Sequence, residues 1–442
     1  MNKNIKTLLI TGAGVDRTPG IDFPLAATLL PEVTSFADRE GKDIDAKLRS
    51  FLPNLRFTFN SLVARAIENI AVREVVAQKQ MIERLTHVIN SLDSKNSTMI
   101  KHGTLLIKLF NKLVTVAQNA ELDSELENLI RDVFQKNADE FLGSDSILDI
   151  TKISLSDTFK SVLKATLRLS LKKENHAIAD ALGAEMLNIE NLLIEKFLGF
   201  YNNKPSEIKN YIYIAWMLWA FLVASEKKVK EKYDERTIPF YSKIPKDWFA
   251  VTLNYTSFLK TALQEDRVIY FHGGLAEYVN MTDRQLIGID GYSQIDLLNF
   301  LETCVGPNIC VSDDHKEKQK HVIPALVPPL KLKPVLSSNY IEKWHKAAEW
   351  VKNAQKVIIV GYSFNTADEH FNDILRKNVG GKEIVIIAPD VDSEGAKSNY
   401  ENLFGFSPAS WTQSMVQGRK KLSKNNVSLI KACAHEVDLS KL

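Results

Sequence analysis

The chain has 442 residues, of which 45% are hydrophobic and 25% are charged. This is an ordinary globular composition, and it excludes a disordered, collagen-like or coiled-coil protein. The 56 basic and 54 acidic residues leave a formal net charge of +2, which gives no electrostatic reason to expect binding to nucleic acid or to a membrane surface.

The first predicted element is a short strand. Residues 5–14 read IKTLLITGAG, an apolar run that ends in a glycine-rich turn. In a doubly wound sheet, Gly12, Ala13 and Gly14 would present backbone N–H groups at the carboxyl end of a strand, where a pyrophosphate approaches closely. Arg17 replaces the third glycine of G-x-G-x-x-G, so a tight turn that needs small residues explains the motif equally well.

A helical region follows the first strand. From about residue 60 to residue 235, apolar residues recur at helical spacing, with polar breaks at 93–98, 143–146 and 202–206. The stretch 211–224, YIYIAWMLWAFLVA, contains no charged residue. It is shorter than the ~20 residues that span a bilayer, so it predicts a helix buried in the protein core or in an oligomer interface.

Strand signals return after residue 241, with the helical stretch 340–353 among them. The predicted strands lie at 248–255, 268–273, 356–364 and 383–390. Continuous apolar runs of this length are typical of strands buried on both faces of a parallel sheet. The prediction is an α/β fold: a Rossmann-like doubly wound parallel sheet with a large all-α insertion domain. Residues 1–60 and 240–442 would form the sheet domain, and residues 61–239 the insertion.

Each predicted strand ends in small or polar residues. These ends read Thr252-Leu253-Asn254-Tyr255-Thr256, Phe271-His272-Gly273-Gly274, Gly361-Tyr362-Ser363-Phe364-Asn365 and Ala388-Pro389-Asp390. Ligands of open α/β sheets bind in the crevice outside the carboxyl ends of the strands. The pattern therefore predicts a nucleotide site at this edge of the sheet, with Asn365 and Asp390 among its contacts.

The motifs TGAG, GIDF, TLNYT, YFHGG and VGYSFN, in this order, resemble the SIR2 (sirtuin) superfamily. Within it, the chain is most similar to the SIR2-like NAD-hydrolysing proteins of prokaryotic anti-phage defence. The resemblance covers residues 1–60 and 245–442. It implies that Gly12, Ala13 and Gly14 hold the pyrophosphate of NAD+, and that Asp22 and Phe23 belong to a loop that closes over nicotinamide.

The resemblance also implies the catalytic residues. Asn254 matches the asparagine of the family's Gln-Asn-Ile-Asp motif, and His272 matches its catalytic histidine. Gly361 and Ser363 match a turn that holds ribose and phosphate. These residue types suit the chemistry, because an amide orients water or a ribose hydroxyl without adding charge, and a histidine takes up a proton near neutral pH. The alternative for His272 alone is a hydrogen-bonded core histidine.

Two departures from the deacylases bear on the reaction. The chain lacks their four zinc-binding cysteines, since it contains only Cys304, Cys310 and Cys433. A substitute set of Cys304, Cys310, His315 and His321 has unusual spacing, so no metal is expected. Thr256 also stands where deacylases have an aspartate. Water is then the expected acceptor, which predicts an NAD+ glycohydrolase.

Several alternatives and partners follow from the same chemistry. An NAD-dependent protein deacylase or ADP-ribosyltransferase would use the same site, and a scaffold subunit that binds NAD or ADP-ribose would not cleave it. The resemblance implies NAD+ depletion as an abortive-infection effector, gated by homo-oligomer assembly or by a protein activator such as a HerA-like ATPase. Sparse cysteines and the absence of a signal-peptide pattern predict a cytoplasmic protein.

Overall fold

A computed structural model of the chain describes most of the sheet-forming regions and part of the helical region. The described residues are 5–59, 75–92, 96–115, 166, 178, 195–196, 204–234, 236–312, 319–327, 336–364, 368–405 and 411–442. The chain divides into two compact units. The first comprises residues 1–25, 36–55 and 190–442, and the second comprises residues 26–35 and 56–189.

Of the described elements, one strand and six α-helices precede residue 240, and the other strands and α-helices follow it. The strands are β1 (Ile5–Thr11), β2 (Phe249–Thr252), β3 (Val268–Tyr270), β4 (Gly273–Asn280), β5 (Gln285–Gly288), β6 (Val322–Leu326), β7 (Ala354–Val360), β8 (Glu383–Ala388), β9 (Thr412–Val416), β10 (Arg419–Lys424) and β11 (Val427–Lys431). The helices are α1 (Ala13–Asp16), α2 (Ala26–Asp38), α3 (Lys42–Phe51), α4 (Val75–Ser91), α5 (Ser97–Thr115), α6 (Pro205–Lys232), α7 (Phe258–Ala262), α8 (Leu297–Phe300), α9 (Ser338–Asn353), α10 (Glu369–Asn378) and α11 (Glu394–Phe404).

The central sheet of the first unit has eight strands in the order β3-β2-β1-β7-β8-β11-β10-β9. The strands from β3 to β11 pair in parallel, and β10 and β9 add an antiparallel edge. Counted along the chain, the parallel strands follow the order 3-2-1-4-5-6 of dinucleotide-binding sheets. The predicted α/β fold with a large, mainly parallel central sheet is confirmed, and this sheet is compatible with the Rossmann-like class.

The sheet is buried on both faces. Leu8, Leu9 and Ile10 follow one another along β1 and are all fully buried. Successive side chains of a strand point to opposite faces, so both faces of the sheet are covered. Of the predicted strands, β1, β2, β3, β7 and β8 all form at the expected places.

A second sheet of three antiparallel strands, in the order β5-β4-β6, was not predicted from the sequence. Nor were β9, β10 and β11. β9 is almost entirely exposed, so it has no buried face to produce an alternating apolar pattern. The second sheet matters for the first unit because α6 packs against it.

The long helix α6 includes the apolar stretch 211–224, and its burial is explained within the first unit. Trp216 and Trp219 are fully buried. Their indole nitrogens donate hydrogen bonds to the Val322 and Leu275 carbonyl oxygens, both at 2.9 Å. The two indoles also pack against Phe300, with ring centroids 6.0 and 5.3 Å away. The interpretation of this stretch as a core helix is confirmed.

The position of α6 changes the expected domain boundary. The insertion was expected to extend to residue 239, but α6 groups with the sheet-containing unit, because its apolar faces pack on the second sheet. Among the described residues, α6 is the one helix long and apolar enough to cross a membrane, and 83% of its most apolar window is buried inside the protein. The buried aromatic side chains give no free surface for an oligomer interface on this stretch.

In the second unit, α4 and α5 pack against each other. Leu85 of α4 and Leu105, Leu106 and Leu109 of α5 are buried, as their helical spacing predicts. The helices meet closely at Gly103, where a Cβ atom would lie 2.0 Å from Ile89 Cδ1. Most of residues 61–203 lies outside the described residues, so the all-α insertion as a whole stays a prediction.

Candidate functional site

The sheet brings most of the predicted residues to one edge. Gly12 follows β1, Asn254 follows β2, His272 follows β3 and Gly361 follows β7. β1 lies between β2 and β7, with Thr11 in register with both Thr252 and Val360. The strand order reverses between β1 and β7, so the carboxyl end of β1 lies at the topological switch point of the sheet. Ligands of such sheets bind at that point.

Asn254 is held by the loop after β1. Its Nδ2 donates a hydrogen bond to the Gly12 carbonyl oxygen at 3.0 Å, and its backbone N–H donates to Thr252 Oγ1, also at 3.0 Å. Thr252 Oγ1 also accepts a hydrogen bond from Thr11 Oγ1 at 2.9 Å. The side chain is 7% exposed. These bonds fix the orientation of the amide.

His272 is paired with an acidic residue that the sequence did not indicate. Its Nε2 lies 3.2 Å from Asp368 Oδ1, which is ion-pair distance, and both residues are buried. Asp368 immediately precedes α10. The His272 carbonyl oxygen accepts a hydrogen bond from the Val327 N–H at 2.8 Å, and the Tyr255 ring lies 6.4 Å from the imidazole. A carboxylate at this distance is placed to orient the imidazole ring.

The glycines of the β1 turn allow the loop after β1 to pack closely against the loop after β7. Gly12 N–H donates to the Val360 carbonyl oxygen at 3.0 Å, and Gly14 N–H donates to the Gly361 carbonyl oxygen at 2.9 Å. A Cβ atom on Gly12 would lie 2.6 Å from that Gly361 oxygen. Gly361 itself has a φ of +62°, in the left-handed region that favours glycine. The tight-turn interpretation accounts for both glycines.

The Asp22 and Phe23 loop lies beside the β1 turn. Phe23 is 5% exposed and packs edge-on against Phe258, with ring centroids 5.8 Å apart. Its N–H donates to the Asp16 carbonyl oxygen at 2.9 Å. Asp22 is exposed, and its Oδ2 accepts a hydrogen bond from the Gly20 N–H at 3.0 Å. In this conformation Asp22 faces solvent, whereas the Phe23 ring belongs to the core.

The remaining predicted contacts follow β7 and β8. Ser363 lies between the buried Tyr362 and Phe364 and is exposed, and Asp390 is exposed after the end of β8. Both lie at the same edge of the sheet as Asn254 and His272. Asn365 lies outside the described residues.

Asp16 is a buried acid that sequence reasoning missed. It is 4% exposed. Its Oδ2 accepts a hydrogen bond from Thr256 Oγ1 at 2.8 Å, and its Oδ1 accepts one from the Tyr241 hydroxyl. Burial raises the pKa of Asp16 to about 6, although hydrogen bonds from Tyr241, Thr256 and Asn254 act to lower it. The only signal in the sequence was an acidic residue two positions after Gly14 of the glycine-rich turn.

The raised pKa of Asp16 predicts a pH-dependent cost to stability. Between pH ~4 and pH ~6 the unfolded chain has lost this proton while the folded chain retains it, so the free energy of unfolding falls as pH rises. At about 1.4 kcal/mol per pKa unit, the rise from 3.8 to about 6 corresponds to about 3 kcal/mol. We expect the difference in unfolding free energy between wild type and Asp16→Asn to shift by this amount over that range, in urea titrations at a series of pH values. Parallel curves for the two proteins would contradict the shift.

The residues considered for zinc do not form a metal site within the described part of the chain. Cys310 is exposed and forms an isolated β-bridge with Lys320. His321 is buried, and burial lowers its pKa to about 4. His315 lies outside the described residues. Among the residues that are described, no group of three or more His, Cys, Asp or Glu side chains is placed to hold a metal ion.

A pocket of about 180 Å³ lies beside the outer strand β3 of the sheet. Tyr255, Tyr270 and Gly274 line it, together with charged side chains. These charged side chains are Lys260, Glu265, Glu277, Lys343 and Lys346. Neither Asn254 nor His272 lines the pocket, so it is distinct from the strand-end site, although Tyr255 borders both.

No protein-family model matches the chain, and no curated protein sequence matches it. The SIR2 resemblance therefore stays a prediction from short motifs.

Proposed function

We propose that the chain is an NAD+ glycohydrolase, which cleaves NAD+ to nicotinamide and ADP-ribose. The observation that carries the proposal is the position of Asn254 and the buried His272–Asp368 pair. They follow adjacent strands, β2 and β3, beside the switch point of a sheet with dinucleotide-binding order. An amide and an imidazole–carboxylate pair are suited to orienting and deprotonating a water molecule.

In the proposed reaction, the bond between ribose C1′ and the nicotinamide nitrogen breaks, and its electron pair leaves with nicotinamide. Positive charge then develops on the sugar, as in glycoside hydrolysis. The oxygen of water forms the new bond to C1′, and the water loses one proton. Asn254 orients the water or a ribose hydroxyl. His272 takes the proton on Nδ1, because Nε2 faces Asp368, and passes it to solvent.

Analysis of the reaction products tests this proposal. Purified chain, alone and copurified with the products of neighbouring genes, is incubated with NAD+, and the products are separated chromatographically. We expect equal amounts of nicotinamide and free ADP-ribose, with ¹⁸O incorporated into ADP-ribose in labelled water. ADP-ribose attached to an added protein would identify a transferase, and deacylation of an acylated peptide would identify a deacylase. NAD+ that is bound but not consumed by any of these preparations would overturn the proposal and favour a scaffold subunit.

The same assay tests the expected independence from metal. We expect a chelator to leave NAD+ hydrolysis unchanged, because the proposed steps need only side chains of the chain itself. Loss of activity with the chelator, restored by zinc, would revive the zinc-dependent deacylase alternative.

The biological role that we propose is NAD+ depletion as an abortive-infection effector in the cytoplasm of a prokaryote. It rests on the resemblance to anti-phage proteins. Such an enzyme must be inactive until infection, so assembly into an oligomer or binding of a protein activator is part of the proposal. The buried stretch 211–224 of α6 does not supply that interface, since its aromatic side chains pack inside the first unit.

A further inference from the structure

Asp16 connects three segments, two of which carry candidate site residues. Its carbonyl oxygen accepts the Phe23 N–H at 2.9 Å, which holds the loop of Asp22 and Phe23. Its side chain accepts Thr256 Oγ1 at 2.8 Å, in the loop after β2, and the Tyr241 hydroxyl, in the segment that leads into β2. One buried carboxylate thus joins residues that are far apart in sequence.

The loop after β2 is therefore tied to the loop after β1 through two side chains, Asn254 and Thr256. One hydrogen bond runs from Asn254 Nδ2 to the Gly12 carbonyl oxygen, and the other from Thr256 Oγ1 to Asp16 Oδ2. Thr256 and Asn254 lie in one short loop, so the second bond restricts the backbone that carries the Asn254 amide. The carboxylate accepts from both hydroxyl groups most strongly when it is ionised, because protonation turns one oxygen into a hydroxyl group that donates and is a weaker acceptor.

We propose that Asp16 is a positioning residue of this site, whose ionised carboxylate holds Thr256 and Tyr241 and thereby fixes the Asn254 amide for catalysis. The inference rests on the proposed NAD+ hydrolysis. It assigns Asp16 no contact with substrate, so its loss lowers kcat more than it raises KM.

The charged and titratable groups around Asp16 determine where its carboxylate ionises. Tyr241 faces it directly, and Glu226 of α6 and Tyr270 of β3 interact with it electrostatically. Burial is the main cause that raises the pKa of Asp16 to about 6, and the negative charge of Glu226 raises it further. The Thr256 hydroxyl lowers it. NAD+ hydrolysis should therefore decline as pH falls through about 6. This decline, the acid limb of the pH profile, should shift when Glu226 or Thr256 is replaced.

The experiment measures kcat and KM for NAD+ between pH 5 and pH 8 in wild type and in three variants. Asp16→Asn should lose about 10- to 100-fold in kcat with KM within about threefold, and it should lose the acid limb that belongs to Asp16. Thr256→Val removes one hydroxyl donor and should move the limb to higher pH. Glu226→Gln removes the nearby charge and should move it to lower pH.

The outcomes separate this inference from the proposed function. A wild-type chain that consumes no NAD+ under any condition overturns the proposed function. Full activity of Asp16→Asn with an unchanged pH profile overturns only the role of Asp16. If Asp16→Asn does not fold, the opposite shifts in Thr256→Val and Glu226→Gln decide the question. A limb that moves in neither variant belongs to another group and overturns the inference.

Discussion

Replacing His272 by alanine is expected to lower NAD+ hydrolysis by about 10²- to 10⁴-fold, the range typical of one general acid–base group. The variant lacks the imidazole that accepts the proton, and it removes the Nε2 atom that lies 3.2 Å from Asp368 Oδ1. Turnover is measured as nicotinamide release under conditions in which wild type is active. Circular dichroism and NAD+ affinity show whether the fold and the binding site persist.

Matched variants make this result specific. His345 of α9 is a suitable control, because its side chain is 76% exposed, so His345→Ala should retain wild-type turnover. Asp368→Asn should lose less NAD+ turnover than His272→Ala, since the imidazole is still present. Asn254→Ala should also lose activity, because no amide then orients the water. Wild-type turnover in His272→Ala would refute the catalytic assignment.

Replacing Trp216 by alanine is expected to lower the free energy of unfolding of the first unit by about 3–5 kcal/mol, as for other large-to-small core substitutions. The side chain is fully buried. Its indole packs against Trp219 at a centroid distance of 5.3 Å and donates a hydrogen bond to the Val322 carbonyl oxygen. The substitution leaves a cavity and removes the hydrogen bond from the indole to the Val322 carbonyl oxygen. Unfolding in urea, monitored by a circular dichroism signal that does not depend on the removed indole, measures the change in unfolding free energy.

Trp411 provides a control for the loss of an indole, because it is partly exposed and its nitrogen bonds to Glu401 Oε1 at 3.1 Å. Trp411→Ala should cost clearly less than Trp216→Ala. Sedimentation of both variants shows their assembly state. If Trp216→Ala kept wild-type stability but dissociated an oligomer, α6 would be an interface helix, and Trp216 would not be a core residue of the first unit.

The local pattern of apolar residues was sufficient to predict several elements. The runs that became β1, β2, β3, β7 and β8 are continuous and apolar because both faces of a central parallel strand are buried. The stretch 211–224 predicted burial for the same reason, since a helix that is apolar on all sides has no face for water. The polar residues after these runs marked the strand ends, and therefore the edge at which Asn254 and His272 lie.

Partners that are distant in sequence could not be predicted in this way. Asp368 faces His272, and Tyr241 and Thr256 face Asp16, only because the sheet places different loops beside each other. Nothing in the local sequence of Asp16 distinguishes it from an exposed acid after a turn. Its burial, and the pKa that follows from it, depend on neighbours that other strands supply.

The sequence by itself determined the segment 211–224 and five strands of the central sheet as buried, with the places where those strands end, because burial on all sides requires a continuous apolar run that stops where polar residues begin. Only the tertiary structure decided the strand order, the grouping of α6 with the sheet unit rather than with the insertion, and the partners of the buried acids. The physical reason is that an apolar surface packs favourably against many apolar surfaces, so the pattern that demands burial does not specify the partner.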